Sequence, residues 1–184
     1  KCDPRFPLSY HFESNLEISR SLSETNRQIF PQLNFTGTVT RTLNTKAKLR
    51  IGFCSRYLTN HTIGKLFKGI INNLNERLFD VIVIHHPGTR LNQFWAADNK
   101  NNVKHLTLPQ GFESQKLFLQ SLKLDTLVFP DVGMDGLNYS LAHCRFAMQQ
   151  IVSWGHPEST GVDTVDKFVS CKLIEPVGAQ RHYS

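Results

Sequence analysis

The sequence predicts an α/β fold, a three-layer Rossmann-like domain with a mostly parallel sheet. From residue 49 onward, short apolar runs of strand length alternate with stretches whose apolar residues recur at helical spacing. These apolar runs are continuous, which is typical of strands that are buried on both faces of a parallel sheet. Polar loops follow several of the runs, at the positions where a parallel sheet opens its ligand crevice.

The first strand, loop and helix are predicted within residues 48–74. Residues 49–54 form an apolar run that predicts a strand, and a polar loop follows over residues 55–61. Apolar side chains then recur at i, i+3, i+4, i+7, i+8 and i+11, which predicts an amphipathic helix. They are Ile63, Leu66, Phe67, Ile70, Ile71 and Leu74. His61 therefore lies at the start of a helix and near the crevice, although a solvated loop histidine without chemistry is the alternative.

The remaining elements continue the alternation. Further strands are predicted at residues 78–84, 102–108, 125–130, 150–154 and 166–171. Further helices are predicted at residues 113–122 and 137–147, with a short one at residues 91–99. We expect Cys54 and Cys171 to end two of the strands as buried small side chains. Residues 173–184 are expected to be irregular.

The 184 residues suit one domain with an extension. Residues 1–46 are expected to form a helical or irregular lead-in or linker, and residues 47–184 the Rossmann-like domain. Within the lead-in, Leu16, Ile18, Leu22 and Ile29 fit one or two helices that end before Pro31.

Composition excludes several classes of function. The net charge is +6, from 21 basic and 15 acidic residues, without a block of like charges, so a nucleic-acid-binding arm is not supported. A mildly basic surface remains compatible with an anionic ligand such as a nucleotide diphosphate. No apolar run approaches the roughly 20 residues of a membrane span, and no signal-peptide pattern is present. The four cysteines form no CxxC pair, so we expect a reducing, cytoplasmic location.

Known phosphate, nucleophile and metal motifs are absent from the sequence. Neither GxGxxG nor a Walker A loop follows the first strand, which disfavours a dinucleotide dehydrogenase and a P-loop enzyme. No GxSxG elbow supports a serine hydrolase. His85 and His86 are adjacent, but adjacent side chains usually point apart and no third ligand is evident at useful spacing. We therefore expect no metal site.

Three polar loops are predicted to open onto the same edge of the sheet: residues 55–61, 131–136 and 155–161. They supply one histidine, two carboxylates and a second histidine with hydroxyl residues. A histidine can serve as a general base near neutral pH, and a neighbouring carboxylate can orient its imidazole. The alternatives are a capping or turn role for Asp131 and a rigid turn at His156 and Pro157.

At these loops the sequence resembles the amino-terminal half of the catalytic region in bacterial-type members of the O-GlcNAc transferase/SPINDLY family of glycosyltransferases. The matching segments are LRIGFCSRYLTNHTIGKL at residues 49–66, LDTLVFPDVGMD at residues 124–135, and the long segment at residues 141–176. The most specific part is WGHPESTG with the DKFVS strand after it, whereas residues 1–45 match weakly.

The resemblance implies one half of a GT-B enzyme, in which two Rossmann-like halves face each other across a cleft. Such enzymes transfer a sugar from a nucleotide diphosphate to a Ser or Thr hydroxyl with inversion, without a metal or other cofactor. His61 matches the family's candidate catalytic base. The residues that would line the cleft for donor sugar or acceptor are Asn60, Asp131, Gly133, Gly155, His156, Pro157, Thr160 and Gly161.

The resemblance also implies that the nucleotide site lies mainly in a carboxy-terminal half that this sequence lacks. UDP-GlcNAc is the expected donor, with GDP-fucose and UDP-glucose as alternatives, and a protein is the expected acceptor. Family members carry helical TPR repeats upstream, which are not evident here. We expect the 184 residues to be part of a larger glycosyltransferase and to be inactive on their own. The alternative is a non-catalytic α/β binding module that retains the fold.

Overall fold

A six-stranded sheet forms the centre of the fold. The computed structural model describes residues 13–38, 48–89, 94–95 and 103–183. The strands are β1 (Leu49–Cys54), β2 (Phe79–His85), β3 (Lys104–Thr107), β4 (Thr126–Phe129), β5 (Gln149–Ser153) and β6 (Lys167–Val169). The α-helices are α1 (Leu16–Ile29), α2 (Thr62–Asn72), α3 (Phe112–Ser121) and α4 (Gly136–Ala142), and short 3₁₀ helices cover Pro31–Leu33 and Ala179–His182. None of the helices in these ranges is long and apolar enough to cross a membrane.

The strand order places a switch point between β1 and β4. The strands lie in the order β3-β2-β1-β4-β5-β6, and each neighbouring pair is parallel. The chain first builds outward from β1 to β3 and then returns to the other side of β1 to add β4, β5 and β6. In open α/β sheets, ligands bind outside the carboxyl ends of the strands at such a reversal. The topology therefore predicts a ligand crevice at the loops after β1 and β4.

Helices cover both faces of this sheet. On one face, Phe67 of α2 belongs to a core cluster with Phe53 of β1. On the other face, Leu119 of α3 and Leu141 of α4 belong to a second cluster with Cys54, the next residue of β1. Because successive strand residues point to opposite faces, Phe53 and Cys54 contribute to different clusters. The three-layer Rossmann-like α/β fold that the sequence predicts is confirmed.

The predicted strands are all present, and their ends differ from the prediction by at most two residues. The helix predicted over residues 137–147 ends earlier, at Ala142, because the chain then turns into a bridge in which Arg145 pairs with Thr36. Cys54 is fully buried as expected. The expectation that Cys171 ends a strand as a buried side chain is wrong, because β6 ends at Val169 and Cys171 is half-buried. Most of the helix predicted at residues 91–99 lies outside the described residues.

Helix α1 docks on the domain through polar side chains at four-residue spacing, Asn15, Ser19, Ser23 and Arg27. The Asn15 amide donates a hydrogen bond to Glu158 at 3.1 Å, and the Arg27 guanidinium donates to a backbone carbonyl of the domain at 2.9 Å. Ser19 and Ser23 are buried in this contact. Residues 13–38 therefore pack against the domain, and the boundary predicted after residue 46 lies outside the described residues and stays a prediction.

Of the apolar residues that predicted a helix in this region, only Leu16 is buried. Ile18 and Ile29 are 52% and 60% exposed, whereas Ser23 is 3% exposed. Ser23 is buried because its hydroxyl bonds to Nε2 of His143 at 3.1 Å, while Nδ1 of His143 donates to the carbonyl of Tyr139 at 2.8 Å. Hydrogen bonding therefore selects the docked face of α1.

Replacing this serine should weaken the docking of α1. We expect Ser23→Ala to lower the free energy of unfolding by about 1–3 kcal/mol, because it removes the buried donor that faces Nε2 of His143. Chemical denaturation followed by circular dichroism measures the change. Ser21→Ala on the exposed side of α1 is the matched control and should change stability by about 0.5 kcal/mol or less. Equal effects of the two substitutions would contradict a docking role for Ser23.

Candidate functional site

A buried carboxylate joins the loops that follow β1 and β4. Asp131 has no solvent-exposed surface, and its Oδ2 accepts a hydrogen bond from the Ser55 hydroxyl at 2.8 Å. Its Oδ1 accepts a second hydrogen bond from the Asn138 amide at 3.1 Å. Burial raises the pKa of Asp131 to about 7, and the charge of Asp135 raises it further, while the hydrogen bonds from Ser55 and Asn138 oppose the shift. Asp131 is thus a carboxyl group that can gain or lose a proton near neutral pH.

Asn138 extends this network to the end of β2. It lies in the first turn of α4, which Asp135 caps by accepting the backbone N–H groups of Leu137 and Asn138. The Asn138 amide also donates to the carbonyl of Cys54 at 3.3 Å, and its oxygen accepts a hydrogen bond from Nε2 of His86 at 2.9 Å. The Asn138 side chain therefore links the carboxyl ends of β1, β2 and β4 through hydrogen bonds.

The two adjacent histidines after β2 point to different partners. His86 contacts Asn138, and burial lowers its pKa although Asp135, 3.7 Å from Nδ1, opposes the shift. His85 pairs with His105 of β3, with 3.0 Å between the bonded ring nitrogens, and burial lowers the pKa of His85 to about 4. Within residues 13–38, 48–89, 94–95 and 103–183, no group of three His, Cys, Asp or Glu residues could hold a metal ion.

The loop after β1 places His61 at the beginning of α2. The Ser55 hydroxyl oxygen accepts the backbone N–H of Tyr57 at 2.8 Å, which fixes the start of the loop. The Tyr57 ring then packs against the His61 imidazole, with centroids 4.7 Å apart. His61 caps α2 because its Nδ1 accepts the backbone N–H of Ile63 at 3.2 Å. Asn60, also predicted to line a cleft, is exposed beside it.

The loop after β5 packs directly on the loop after β4. His156 is 4% exposed, and a side chain at Gly133 would place its Cβ 2.9 Å from the His156 ring. Gly133 also adopts a φ of 110°, which disfavours other residues. At Gly155 a Cβ would lie 2.3 Å from the carbonyl oxygen of Pro130. Both glycines are therefore required for close approach of the two loops, while Pro157 is exposed at the tip.

The end of the same loop contacts α1. The Thr160 hydroxyl accepts the backbone N–H of Val162 at 3.2 Å, which forms a local turn. Gly161 has a φ of 64°, and a Cβ there would lie 2.3 Å from the backbone of Ser19. Thr160 and Gly161 thus have packing contacts in this structure, and their place beside a sugar stays a prediction.

The structure brings together some of the sequence-predicted residues and adds others. Asp131, Gly133, Gly155 and His156 belong to packed loops at one edge of the sheet, and His61 connects to them through Tyr57 and Ser55. Sequence reasoning considered His86 only as part of an adjacent histidine pair and Asp135 only as one of two loop carboxylates, and it did not single out Tyr57 or Asn138. The signal that could have predicted the network was the position of Ser55 directly after β1 and of Asp131 closely after β4. Using that signal required knowing that β1 and β4 are neighbours.

Comparison with known proteins shows a likeness at the level of the fold. No family model matches the chain, and no curated protein matches it. Among solved structures, it is similar to a mutant of the O-GlcNAc transferase of Thermobaculum terrenum, with a TM-score of 0.65 and 16% sequence identity. The alignment covers 89% of this chain and 32% of that structure, so the chain spans about a third of its length. The chain therefore has an O-GlcNAc transferase-like α/β fold, consistent with one half of a GT-B enzyme.

Proposed function

We propose that this chain supplies the acceptor-side half of the cleft in a nucleotide-sugar-dependent protein glycosyltransferase of the O-GlcNAc transferase kind. The observation that carries the proposal is the buried network of Ser55, Asp131 and Asn138 at the switch point, which holds the loop that presents His61. The likeness to a solved O-GlcNAc transferase and the sequence motifs of these loops support the same reaction class.

The proposed reaction is a direct displacement at the anomeric carbon. The oxygen of a Ser or Thr hydroxyl forms a bond to that carbon, the bond to the diphosphate oxygen breaks, and the hydroxyl proton passes to an oxygen of the departing diphosphate. We place His61 in the cleft beside the reacting groups, where its imidazole can hydrogen-bond to the bound substrate. Stabilising the departing diphosphate requires positive charge or N–H donors, which we assign to a complementary carboxy-terminal half. UDP-GlcNAc is the proposed donor.

A non-catalytic binding module is the second candidate, and the burial of the network favours it. Asp131 has no exposed surface and His156 is 4% exposed, so neither contacts a ligand without movement of the loops. A buried carboxylate that accepts two hydrogen bonds can hold the loops together without taking part in a reaction. In that case the crevice would bind a ligand without transferring a sugar.

An assay of nucleotide release distinguishes the two. The longest natural polypeptide that carries these residues is incubated with a Ser/Thr-containing acceptor protein and UDP-GlcNAc, UDP-glucose or GDP-fucose in turn. We expect release of nucleoside diphosphate and sugar on the acceptor with one donor, preferentially UDP-GlcNAc. The 184-residue chain alone, run in parallel, should release none. Sugar transfer by the 184 residues alone would overturn the proposal that this chain supplies only one half of the cleft. If the longer polypeptide transferred no sugar from any of the donors, the non-catalytic binding module would be favoured.

A further inference from the structure

The two ring nitrogens of His61 have different surroundings. Nδ1 accepts the backbone N–H of Ile63 at 3.2 Å, where His61 has the extended backbone of an N-cap residue, with φ −121° and ψ 162°. A backbone N–H group can only donate, so Nδ1 must hold a lone pair. The hydrogen-bond network therefore assigns the proton of the neutral imidazole to Nε2. No described residue bonds to Nε2.

Several contacts hold the backbone of His61 and one side of its ring in this geometry. The backbone N–H of His61 donates to the carbonyl of Thr59 at 2.7 Å, and its own carbonyl accepts the N–H of Lys65 at 2.9 Å. The Tyr57 ring lies 4.7 Å from the imidazole, tilted by 35°. Tyr57 is itself held by Ser55, which is bonded to the buried Asp131. A half-turn of the imidazole would break the cap, and it would have to occur against the Tyr57 ring.

We propose that His61 engages its substrate as a hydrogen-bond donor through Nε2–H and takes no proton while it caps α2. This inference rests on the proposed glycosyltransferase function and specifies how the site uses the histidine. The ligand atom that fits an N–H donor is an oxygen with a lone pair, in a hydroxyl, carbonyl or phosphate group of the bound substrate. The imidazole could accept a proton at Nε2 only after its own proton had moved to Nδ1 and the cap had been released.

The tautomer can be measured without any enzymatic activity. The chain is labelled with ¹⁵N-histidine, the His61 signals are assigned by their loss in His61→Gln, and long-range ¹H–¹⁵N correlation spectra are recorded in alkaline buffer. Two histidines serve as internal references: Nε2 of His86 faces an acceptor, and Nδ1 of His143 donates to a carbonyl. We expect the His61 pattern to match that of His86. A pattern like that of His143 would overturn the proposal.

Two substitutions distinguish the helix-capping role of His61 from its role as a hydrogen-bond donor, and both are made in the longer polypeptide that transfers sugar. His61→Gln brings an amide N–H to the region of Nε2, whereas His61→Asn preserves an N-cap oxygen but is too short to reach there. For a donor role we expect His61→Gln to retain turnover within about tenfold of wild type, and His61→Asn to lose about 10²–10³-fold. Equal losses in both variants would overturn the donor role, as would wild-type turnover in His61→Asn. If the wild-type polypeptide transferred no sugar, the proposed function would fail, while the spectra would still decide the tautomer.

Discussion

His61→Ala is expected to lower the turnover of the proposed full-length transferase by about 10²–10³-fold. The imidazole lies at the carboxyl edge of β1, beside the switch point of the sheet, and alanine removes both the α2 cap and the Nε2 group. Loss of the cap alone would cost about 1 kcal/mol of stability and would not remove turnover. The measurement is the rate of nucleoside diphosphate release at saturating donor and acceptor.

A second histidine, far from His61 in the sequence, provides a control for this result. His182 is an exposed histidine in the last 3₁₀ helix, and His182→Ala should leave turnover unchanged. Thermal unfolding of both variants would show whether the fold is retained. An unchanged rate in His61→Ala would remove His61 from the reaction.

Asp131→Asn is expected to stabilise the protein relative to wild type as the pH rises from about 4 to about 8. Burial raises the pKa of Asp131 to about 7 in the folded chain, compared with an ordinary value near 3.8. A raised carboxyl pKa contributes stability that is fully present below the unfolded pKa and is lost as the pH rises through the folded pKa. Wild type should therefore lose up to about 4 kcal/mol over this window, which an uncharged asparagine avoids.

Denaturant unfolding of wild type and variant at several pH values measures this difference directly. Titration of groups that do not interact with Asp131 contributes equally to both proteins and cancels in the comparison. Glu76→Gln, an exposed carboxyl replaced by an amide, is the control and should alter stability by about 0.5 kcal/mol or less at each pH. A stability difference between Asp131→Asn and wild type that stayed constant with pH would show that Asp131 is ionised in the folded protein throughout the window.

The elements of the fold could be predicted from sequence because they depend on local patterns. Continuous apolar runs located every strand, and the 3.6-residue period located α2. Strand order could not be predicted, since the pairing of β1 with β4 joins residues as far apart as Ile51 and Thr126. The hydrogen bond between Ser55 and Asp131 depends on that pairing, so the centre of the candidate site was beyond local reasoning.

Helix α1 shows a second limit of pattern-based prediction. Its apolar residues predicted a helix, and the helix exists, but Ile18 and Ile29 are exposed while Ser19 and Ser23 are buried. Hydrophobic periodicity assumes that the docked face is apolar. Here the docking surface offers His143 and Glu158, so hydrogen bonds decide the orientation. The sequence alone does not reveal which polar side chains have partners.

The sheet order also has a consequence for how the site is assembled during folding. The first three strands and the last three form two sequence-contiguous halves that meet where β1 pairs with β4. The hydrogen bond from Ser55 to Asp131 crosses this seam over 76 residues, so it can form only after β4 has been placed beside β1. A nascent chain released before β4 would therefore carry His61 without the carboxylate that anchors its loop.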